Sequence, residues 1–336
     1  MKTVLIISDT TEKQTNGVVR TLNEVKKYLS KRYTVVFITP ELFKSVSFPF
    51  YKEVDISVDT FRIGAKIEEI NPDFIHIATE GPVGLSGKLY CDKKKYKYTT
   101  SYHSMFPEFI QEMYKIPSFL TYPYFKWFHK KSSNVLVPTN KMKNQLEENG
   151  FDGIVIWGRG VDRRVFNSKS RGNPIISDAI VVLCVSRISK EKGLDDFCEI
   201  KLPHNYIKIL VGDGPYLKEL KKKNLAESVI FPGKKYGKDL SYYYANADVF
   251  IFPSRNDTFG LTQLESIASG TPVLAYKDTV SEEIIREGKS GFVVDEFNIE
   301  NIDKAISLSR KYVEDESYKW TWKKSVEIFE KYLVPK

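Results

Sequence analysis

The sequence predicts an α/β fold made of two doubly wound domains. Short apolar runs alternate with amphipathic segments, which is the pattern of parallel strand–helix–strand units. The alternation starts again after a polar loop near residues 158–178. The chain has 336 residues, enough for about two domains of roughly 150 residues each.

The first half alternates apolar runs of strand length with segments of helical periodicity. The predicted helical segments include GVVRTLNEVKKYLSK (17–31), FRIGAKIEEINP and NKMKNQLEENG. Because its apolar run is too short for a secretory signal, the opening MKTVLIISDT reads as a first strand. The predicted strands are TVLIIS (3–8), YTVVFIT (33–39), DFIHIA (73–78), residues 96–102 and NVLVPT (134–139).

The second half contains strands that are apolar on both faces, as a sheet covered by helices on each side requires. We place the boundary near residue 165, between domains 1–165 and 166–317. Ligands in such sheets bind beyond the carboxyl ends of the strands, so we expect the site in a cleft between the domains. The predicted strands are AIVVLCVS (179–186), YIKILVG (206–212), SVIFPG (228–233), DVFIFPS (248–254) and TPVLAY (271–276).

The composition fits a soluble globular protein, with 42% hydrophobic and 28% charged residues. No apolar run reaches the roughly 18–20 residues of a transmembrane helix. Cys91, Cys184 and Cys198 lie far from any metal-ligand spacing, so we expect a reduced, cytoplasmic protein. The net charge of +8 indicates nucleic acid, an anionic membrane or a phosphate-bearing substrate as partner, or simply a solvated lysine-rich surface.

The stretch SRNDTFGLTQLESIASGTPVLAY (254–276) carries two acids around a helix start. Asp257 lies in a polar loop, and Glu265 follows about 12 Å further along at about 1.5 Å per residue. This length suits a nucleotide-sugar, whose diphosphate lies between two hydroxyl-rich groups that carboxylates can bind. The alternative is that Asp257 caps the helix and Glu265 is a solvated helix position.

The predicted helix begins at Leu261, and Gly270 ends it as a glycine C′ residue does. Backbone amides around Gly260, Leu261 and Thr262 have no partner within such a helix. Together with the helix dipole, these amides form an anion site suited to phosphate.

The stretch PSRNDTFGLTQLESIASGTPVLAY resembles the E-x7-E region of the family-4 retaining glycosyltransferases. These enzymes have the GT-B fold, two Rossmann-like domains facing across a cleft. The resemblance implies that Asp257 binds sugar hydroxyls and Glu265 binds the ribose. It implies that the backbone from Phe259 through Gly260 and Leu261 to Thr262 binds the diphosphate. Asp257 stands where the family usually has Glu, so its reach is one methylene shorter.

Four further segments resemble the same family. VSRISKEKG supplies Arg187 and Lys192, which the resemblance places on the leaving diphosphate as a planar fork and a point charge. TTSYHSMFPEFI supplies His103, implied at the donor sugar and the reacting centre. SDTTEKQTNGVVRTL and VGDGPYLKEL supply glycines for close backbone approach to the donor: Gly17, Gly212 and Gly214.

The resemblance also assigns the domains. Residues 1–165 are then the acceptor side, joined by the C-terminal helix within 318–336, and residues 166–317 bind the nucleotide-sugar. WGRGVDRRVFN resembles the exit of the first domain, where Arg159 and Asp162 organise the cleft. KDTVSEEII lacks the paired glycines common in the family, although Glu283 matches an acid there.

Residues 88–131 contain nine lysines, three acids and thirteen aromatic residues. Such a mixture suits the interface of an anionic membrane, although nucleic acid or a lysine-rich surface over an aromatic core fits it too. We expect peripheral attachment to the inner face of the membrane and a lipid, lipid-linked or glycan acceptor, with no nucleic acid as partner.

The predicted activity is transfer of a hexose from a nucleotide diphosphate sugar with retention at the anomeric carbon. The chain has no D-x-D triplet, so we expect neither a metal nor another cofactor. The motifs resemble bacterial α-mannosyltransferases and glycolipid synthases, which favours GDP-mannose, with UDP-glucose or another UDP-sugar as the alternative. A sugar-nucleotide epimerase and a non-catalytic binder of nucleotide-sugars or nucleic acid are the competing functions.

Overall fold

The computed structural model describes residues 1–11, 16–48, 51–223 and 229–336. The chain forms two compact units. Unit 1 comprises Met1–Arg159 and Trp322–Lys336, and unit 2 comprises Gly160–Thr321. The sequence-based boundary near residue 165 lies a short distance after the point at which the structure divides.

Unit 1 is built on a six-stranded parallel sheet with strand order β2-β1-β5-β6-β7-β8. A separate antiparallel hairpin of β3 and β4, which the sequence analysis did not predict, accompanies it. The strands are β1 (Thr3–Ile7), β2 (Thr34–Ile38), β3 (Ser45–Phe48), β4 (Tyr51–Ser57), β5 (Phe74–Ile77), β6 (Thr99–Ser101), β7 (Val135–Val137) and β8 (Ile154–Ile156).

The helices of unit 1 connect these strands. They are α1 (Gly17–Leu29), α2 (Ile63–Ile70), α3 (Pro82–Lys94), α4 (Phe106–Tyr114), α5 (Ser118–His129) and α6 (Asn140–Glu148). Two buried clusters show that helices cover both faces of the sheet. Val4 and Ile6 belong to the cluster that includes α1, whereas Leu5 and Ile7 belong to the cluster that includes α2, as the alternation of side chains along a strand requires.

Unit 2 contains a second six-stranded parallel sheet with strand order β11-β10-β9-β12-β13-β14. In chain order this is the 3-2-1-4-5-6 arrangement of dinucleotide-binding domains. The predicted α/β class is therefore confirmed. The strands are β9 (Ile180–Val185), β10 (Tyr206–Val211), β11 (Val229–Ile230), β12 (Val249–Phe252), β13 (Val273–Tyr276) and β14 (Gly291–Val294); Ser228 of the predicted strand 228–233 lies outside the described residues.

Helices also cover both faces of this sheet, since Val182 and Cys184 of β9 belong to one buried cluster and Leu183 and Val185 to the other. None of the helices in the described part of the chain has the length and hydrophobicity needed to span a bilayer. The helices are α7 (Leu194–Glu199), α8 (Leu217–Lys222), α9 (Gly237–Asn246), α10 (Leu261–Ala268), α11 (Ser281–Ile284), α12 (Ile299–Ile306) and α13 (Arg310–Asp315).

The last helix, α14 (Trp322–Lys331), belongs to unit 1 and packs beside α1. Phe329 lies in the same buried cluster as Trp157, with ring centroids 4.9 Å apart. Trp157 Nε1 donates to the carbonyl of Ser325 at 3.1 Å, and Ser325 Oγ donates to the carbonyl of Gly158 at 2.7 Å. These bonds fix the end of the chain against the segment that leaves β8.

Candidate functional site

The candidate site in unit 2 lies where the strand order reverses. β9 pairs with β12, but the helices that follow these two strands pack on opposite faces of the sheet, since Phe197 of α7 belongs to one buried cluster and Leu264 of α10 to the other. Ligands of open α/β sheets bind at this switch point. The loops 186–193 and 253–260 contain five of the predicted site residues: Arg187, Lys192, Asp257, Phe259 and Gly260.

The loop after β9 is built into the neighbouring loop through its backbone. Ile188 N donates to the carbonyl of Asp213 at 2.9 Å. A Cβ on Gly212 would lie 1.9 Å from the carbonyl oxygen of Ser186, and one on Gly214 would lie 2.3 Å from that of Ile188. The two glycines therefore permit close packing of loop on loop, and their predicted contact with the donor stays a prediction.

The loop after β12 is joined to the loop after β9 at Gly193. This residue has φ +64, and a Cβ there would lie 2.4 Å from the carbonyl oxygen of Pro253. Because Gly193 has no side chain, the backbones of the two loops can pack against each other. Lys192 and Asp257 consequently meet across 65 residues of sequence, with Nζ donating to Oδ2 at 2.8 Å.

This ion pair decides the charge state of Lys192. Burial, the largest single influence, would lower its pKa, but the charge and hydrogen bond of Asp257 outweigh it, so the pKa lies above the ordinary value. Arg187 lies earlier in the same loop, and its positive charge opposes protonation of Lys192. The structure thus brings together three of the four residues predicted as catalytic.

Helix α10 starts at a residue that offers no side chain to its own amides. Gly260 is the N-cap, with φ +83 and no capping hydrogen bond from a side chain. A Cβ at this position would lie 2.4 Å from Gln263 Nε2 and 2.8 Å from Phe252 Cζ. Because the first-turn amides of Leu261 and Thr262 have no acceptor within the helix, this end of α10 can accept an anion. Asp257 is three residues away from the cap, so the alternative of Asp257 as N-cap is wrong.

Glu265 is only 2% exposed, which makes the alternative of a solvated helix position wrong. Ser269 Oγ donates to the backbone carbonyl of Glu265 at 2.8 Å, so these two residues share one helix face. Phe259 is buried as well, and its ring meets that of Trp320 edge to face at 5.6 Å. Only the backbone of Phe259 is therefore suited to binding an anion, in keeping with its predicted role.

The end of β13 carries an arrangement that the sequence analysis missed. Tyr276 donates to Asp196 Oδ2 at 2.6 Å, and Arg255 stacks 3.4 Å above the tyrosine ring. Burial raises the pKa of Tyr276. Beyond it, Asp278 has φ +57, so an aspartate adopts the left-handed conformation where the family has paired glycines. Glu283 follows in α11.

In unit 1, Gly17 is the first residue of α1, and Asn16 Oδ1 accepts a capping hydrogen bond from Val19 N at 2.9 Å. Residues 12–15 of the predicted loop lie outside the described residues. A cavity of about 300 Å³ adjoins this helix start. Its lining combines hydroxyl, amide and carboxylate groups with apolar side chains, among them Ser8, Thr10, Asn23, Phe37, Glu41 and Leu42. The predicted donor contact of Gly17 stays a prediction.

His103 lies just after β6 and is buried. Its Nδ1 is 3.0 Å from Arg159 Nη2, and its Nε2 is 2.8 Å from Ser101 Oγ. Because a guanidinium group only donates, Nδ1 accepts and the ring proton is on Nε2. The pKa of His103 lies well below its ordinary value. Burial is the largest cause, and the electrostatic influence of Arg159 and His76 acts in the same direction.

The imidazole of His103 is therefore neutral. Burial also lowers the pKa of its partner Arg159 to about 9. Both ring nitrogens of His103 are in hydrogen-bond contact with side chains of unit 1, namely Ser101 and Arg159. The predicted contact of His103 with the donor sugar stays a prediction. The position of His103 after a strand was visible in the sequence, whereas its pairing with Arg159 across 56 residues was not.

Asp9 is a residue of this edge of the sheet that the sequence analysis did not single out. Its carboxylate accepts hydrogen bonds from Thr79 Oγ1 at 2.7 Å, Val83 N at 2.7 Å and Gly84 N at 3.2 Å. It thereby caps the start of α3. Burial raises the pKa of Asp9, and these hydrogen bonds oppose the rise. The only sequence signal is an acid directly after the first apolar strand.

Among the residues that the structure describes, no group of three or more His, Cys, Asp or Glu side chains could hold a metal ion. The groups gathered at the unit 2 site are instead two cations, two carboxylates and a helix start. Such a set can bind a diphosphate and hydroxyl groups at the same time.

Two family models match the chain. Residues 15–165 match the model described as Glycosyltransferase Family 4, and residues 165–324 match the model described as Glycosyl transferases group 1. Among solved structures, sucrose-phosphate synthase from Thermosynechococcus elongatus aligns with a TM-score of 0.77 at 16% identity, covering 98% of each chain. At that identity the likeness shows the fold.

Three curated proteins are similar in sequence. The sulfoquinovosyl transferase of Arabidopsis thaliana is 30% identical over 294 residues, and the match covers 81% of this chain and 56% of that protein's length. The GDP-mannose-dependent alpha-mannosyltransferase of Corynebacterium glutamicum is 25% identical, with 81% and 67% covered. The alpha-monoglucosyldiacylglycerol synthase of Streptococcus pneumoniae is 27% identical, with 85% and 74% covered.

The predicted resemblance is therefore confirmed. The two family models together extend over residues 15–324, and each half of the chain has the Rossmann-like sheet that the GT-B fold requires. The chain belongs to the family-4, group 1 glycosyltransferases with the GT-B fold.

Proposed function

We propose that the protein is a retaining glycosyltransferase that moves a hexose from a nucleotide diphosphate sugar to a lipid, lipid-linked or glycan acceptor. The observation that carries this proposal is the meeting of Lys192, Asp257 and the Gly260 helix start at the switch point of unit 2. Cations and free amides suit the diphosphate, and a carboxylate suits sugar hydroxyls.

The Lys192–Asp257 ion pair gives the proposal a binding order. Before a donor binds, the two charges neutralise each other at 2.8 Å. An arriving diphosphate provides Lys192 with a second anionic partner, and the carboxylate of Asp257 is then available to accept hydrogen bonds from sugar hydroxyls. Because Asp257 is shorter than the glutamate usual in the family, we propose that it holds the sugar closer to the loop.

In the proposed reaction, the bond between the anomeric carbon and the diphosphate oxygen breaks while the acceptor oxygen bonds to the same face of that carbon. The acceptor proton passes to the leaving phosphate, and nucleoside diphosphate is released. Arg187, Lys192 and the amides of α10 stabilise the growing negative charge because they are in place before the bond breaks. This route uses no metal ion.

For the donor we propose GDP-mannose, with a UDP-sugar as the second candidate. The similarity to a GDP-mannose-dependent enzyme supports GDP-mannose. The similarity to a glucosyldiacylglycerol synthase and to a sulfoquinovosyl transferase supports donors that carry other sugars. The similarity to the diacylglycerol enzyme supports a lipid acceptor. His103 and Gly17 stay proposed contacts of the donor.

A thermal-shift panel of GDP- and UDP-sugars tests the donor. A ligand at a hundredfold excess over its Kd stabilises by about 2.7 kcal/mol, and we expect GDP-mannose to give the largest shift. A panel without any shift contradicts the proposal. Release of nucleoside diphosphate only when acceptor is present identifies a transferase, since an epimerase releases none at steady state and a simple binder none at all.

A further inference from the structure

The outer side of helices α4 and α5 in unit 1 exposes an unusual number of large apolar side chains. We define the α4–α5 face by Tyr114, Ile116, Phe119, Leu120, Tyr124 and Trp127. Phe119 is 70% exposed and Leu120 is 60% exposed. These residues lie in or next to two consecutive helices that pack against each other, and the rings of Tyr124 and Trp127 are 6.0 Å apart. Exposed apolar side chains concentrated in one region mark an interaction site.

Helix α5 shows why this surface is not required by the fold. At 100° per residue, Phe119, Leu120 and Trp127 share one side of the helix. The opposite side, with Tyr122, Phe125, Phe128 and His129, is buried against unit 1. Both sides are therefore largely apolar, yet only one of them has a protein core to pack against. A helix that is hydrophobic all round needs a second apolar environment.

The charges around the α4–α5 face indicate which environment this is. Lys115, Lys126 and Lys130 are exposed on or beside it, and Lys131 is exposed as well, 3.6 Å from Asp92. The described acids of residues 88–131 form hydrogen bonds within the protein. Asp92 accepts from Lys88 at 2.7 Å and from Tyr98 at 3.0 Å. Glu108 accepts from Tyr122 and Gln145. The side chain of Glu112 lies outside the described part of the chain. The face therefore presents cations and apolar groups together.

From this combination we infer that the α4–α5 face docks on the surface of a bilayer that contains anionic phospholipid. Lysines attract the anionic headgroups, Trp127 suits the headgroup layer, and Phe119 with Leu120 enters the acyl boundary. A second copy of the chain is a poorer occupant, because it would bring the same lysines face to face. The inference rests on the proposed lipid or lipid-linked acceptor, which would be held in that same bilayer.

The turn between the two helices makes Phe119 and Leu120 accessible to a flat surface. Lys115 is the C-cap residue of α4 and has φ +58 in the left-handed region, and Pro117 is the N-cap residue of α5. Five residues around this turn, Tyr114 to Pro117 and Phe119, are all exposed. The chain therefore reverses direction at a point where apolar and basic side chains face solvent together.

Co-sedimentation with phosphatidylcholine vesicles, with and without phosphatidylglycerol, tests the inference. We expect the wild-type chain to bind the vesicles that contain phosphatidylglycerol at low salt and to lose binding at high salt, since screening weakens the lysine contribution. The variant F119S/L120S should bind at least about tenfold more weakly because two apolar side chains no longer leave water. The matched control is F61S, which alters a phenylalanine that is 82% exposed elsewhere on unit 1.

No binding of the wild-type chain at low salt, or equal binding by F119S/L120S, overturns the inference. A wild-type dimer that F119S/L120S dissociates shows that a second copy covers the face and also overturns it. The thermal shift with GDP-mannose, measured on the same samples, should be unchanged in F119S/L120S. If vesicle binding behaves as expected but no nucleotide-sugar shifts the unfolding temperature, the proposed function fails while the docking surface stands.

Discussion

Replacing Gly260 with alanine should damage both the stability of unit 2 and its anion site. Two effects add in the structure. A non-glycine residue at φ +83 carries a left-handed penalty of about 1–2 kcal/mol. The new Cβ would also lie 2.4 Å from Gln263 Nε2 and 2.8 Å from Phe252 Cζ, both of them buried side chains, and such overpacking costs about 1–3 kcal/mol.

The expected loss in the free energy of unfolding is therefore about 2–5 kcal/mol, measured by denaturant titration. Gly288 provides the matched control, because it has φ +69 but nothing lies within 4 Å of a Cβ built there. In Gly288→Ala the free energy of unfolding should fall only by the cost of the left-handed backbone, about 1–2 kcal/mol. Gly260→Ala should in addition weaken nucleotide-sugar binding by calorimetry, because relief of the contacts moves the first turn of α10. Equal losses of stability and equal donor affinity in the two variants would refute this reasoning.

Three other predictions concern single groups. Glu265→Gln keeps the side-chain volume but removes the charge, so donor affinity by calorimetry should fall by about 1.5–3 kcal/mol if Glu265 binds the ribose; unchanged affinity removes that role. Arg187→Ala should lower kcat more than donor affinity, because charge grows on the diphosphate as the bond breaks, whereas the exposed Arg286→Ala should change neither. His76 has a pKa lowered by burial to about 3, and His103 is shifted in the same direction, so both bind protons more readily when unfolded. The two histidines should therefore lower the stability as pH falls below about 6.5, by about 2 kcal/mol from His76 alone between pH 7 and 5, whereas the raised pKa of Asp9 acts in the opposite direction. Denaturant titrations in which wild type and His76→Gln show the same pH dependence contradict this.

Local patterns predicted much of the fold. The two-faced apolar runs identified the central strands because parallel strands are covered by helices on both sides. The sequence predicts that Gly270 ends its helix. In the structure Ser269 is the C-cap of α10, and Gly270, directly after it, has φ +75. The hairpin of β3 and β4 was missed, since its short strands lie between helical and apolar segments whose patterns dominated the interpretation.

The site could be predicted only in part, for a similar reason. The spacing of Asp257 and Glu265 is local and indicated a helix start between two acids. The contact of Lys192 with Asp257, and that of His103 with Arg159, depends on which strands become neighbours in each sheet. Composition and periodicity do not determine that order, so only the family resemblance could place Lys192 in the site beforehand. The burial of Glu265 likewise follows from packing of α10 and not from its position in the sequence.

The central claim is that the start of α10, together with Arg187 and Lys192, binds the pyrophosphate of a nucleotide-sugar. A crystal structure of the complex with GDP-mannose or UDP-glucose tests it most directly. We predict pyrophosphate oxygens within about 3 Å of the amides of Gly260, Leu261 or Thr262 and of the Lys192 ammonium group. A pyrophosphate bound elsewhere, with the Lys192–Asp257 ion pair and the start of α10 left untouched, would contradict the claim.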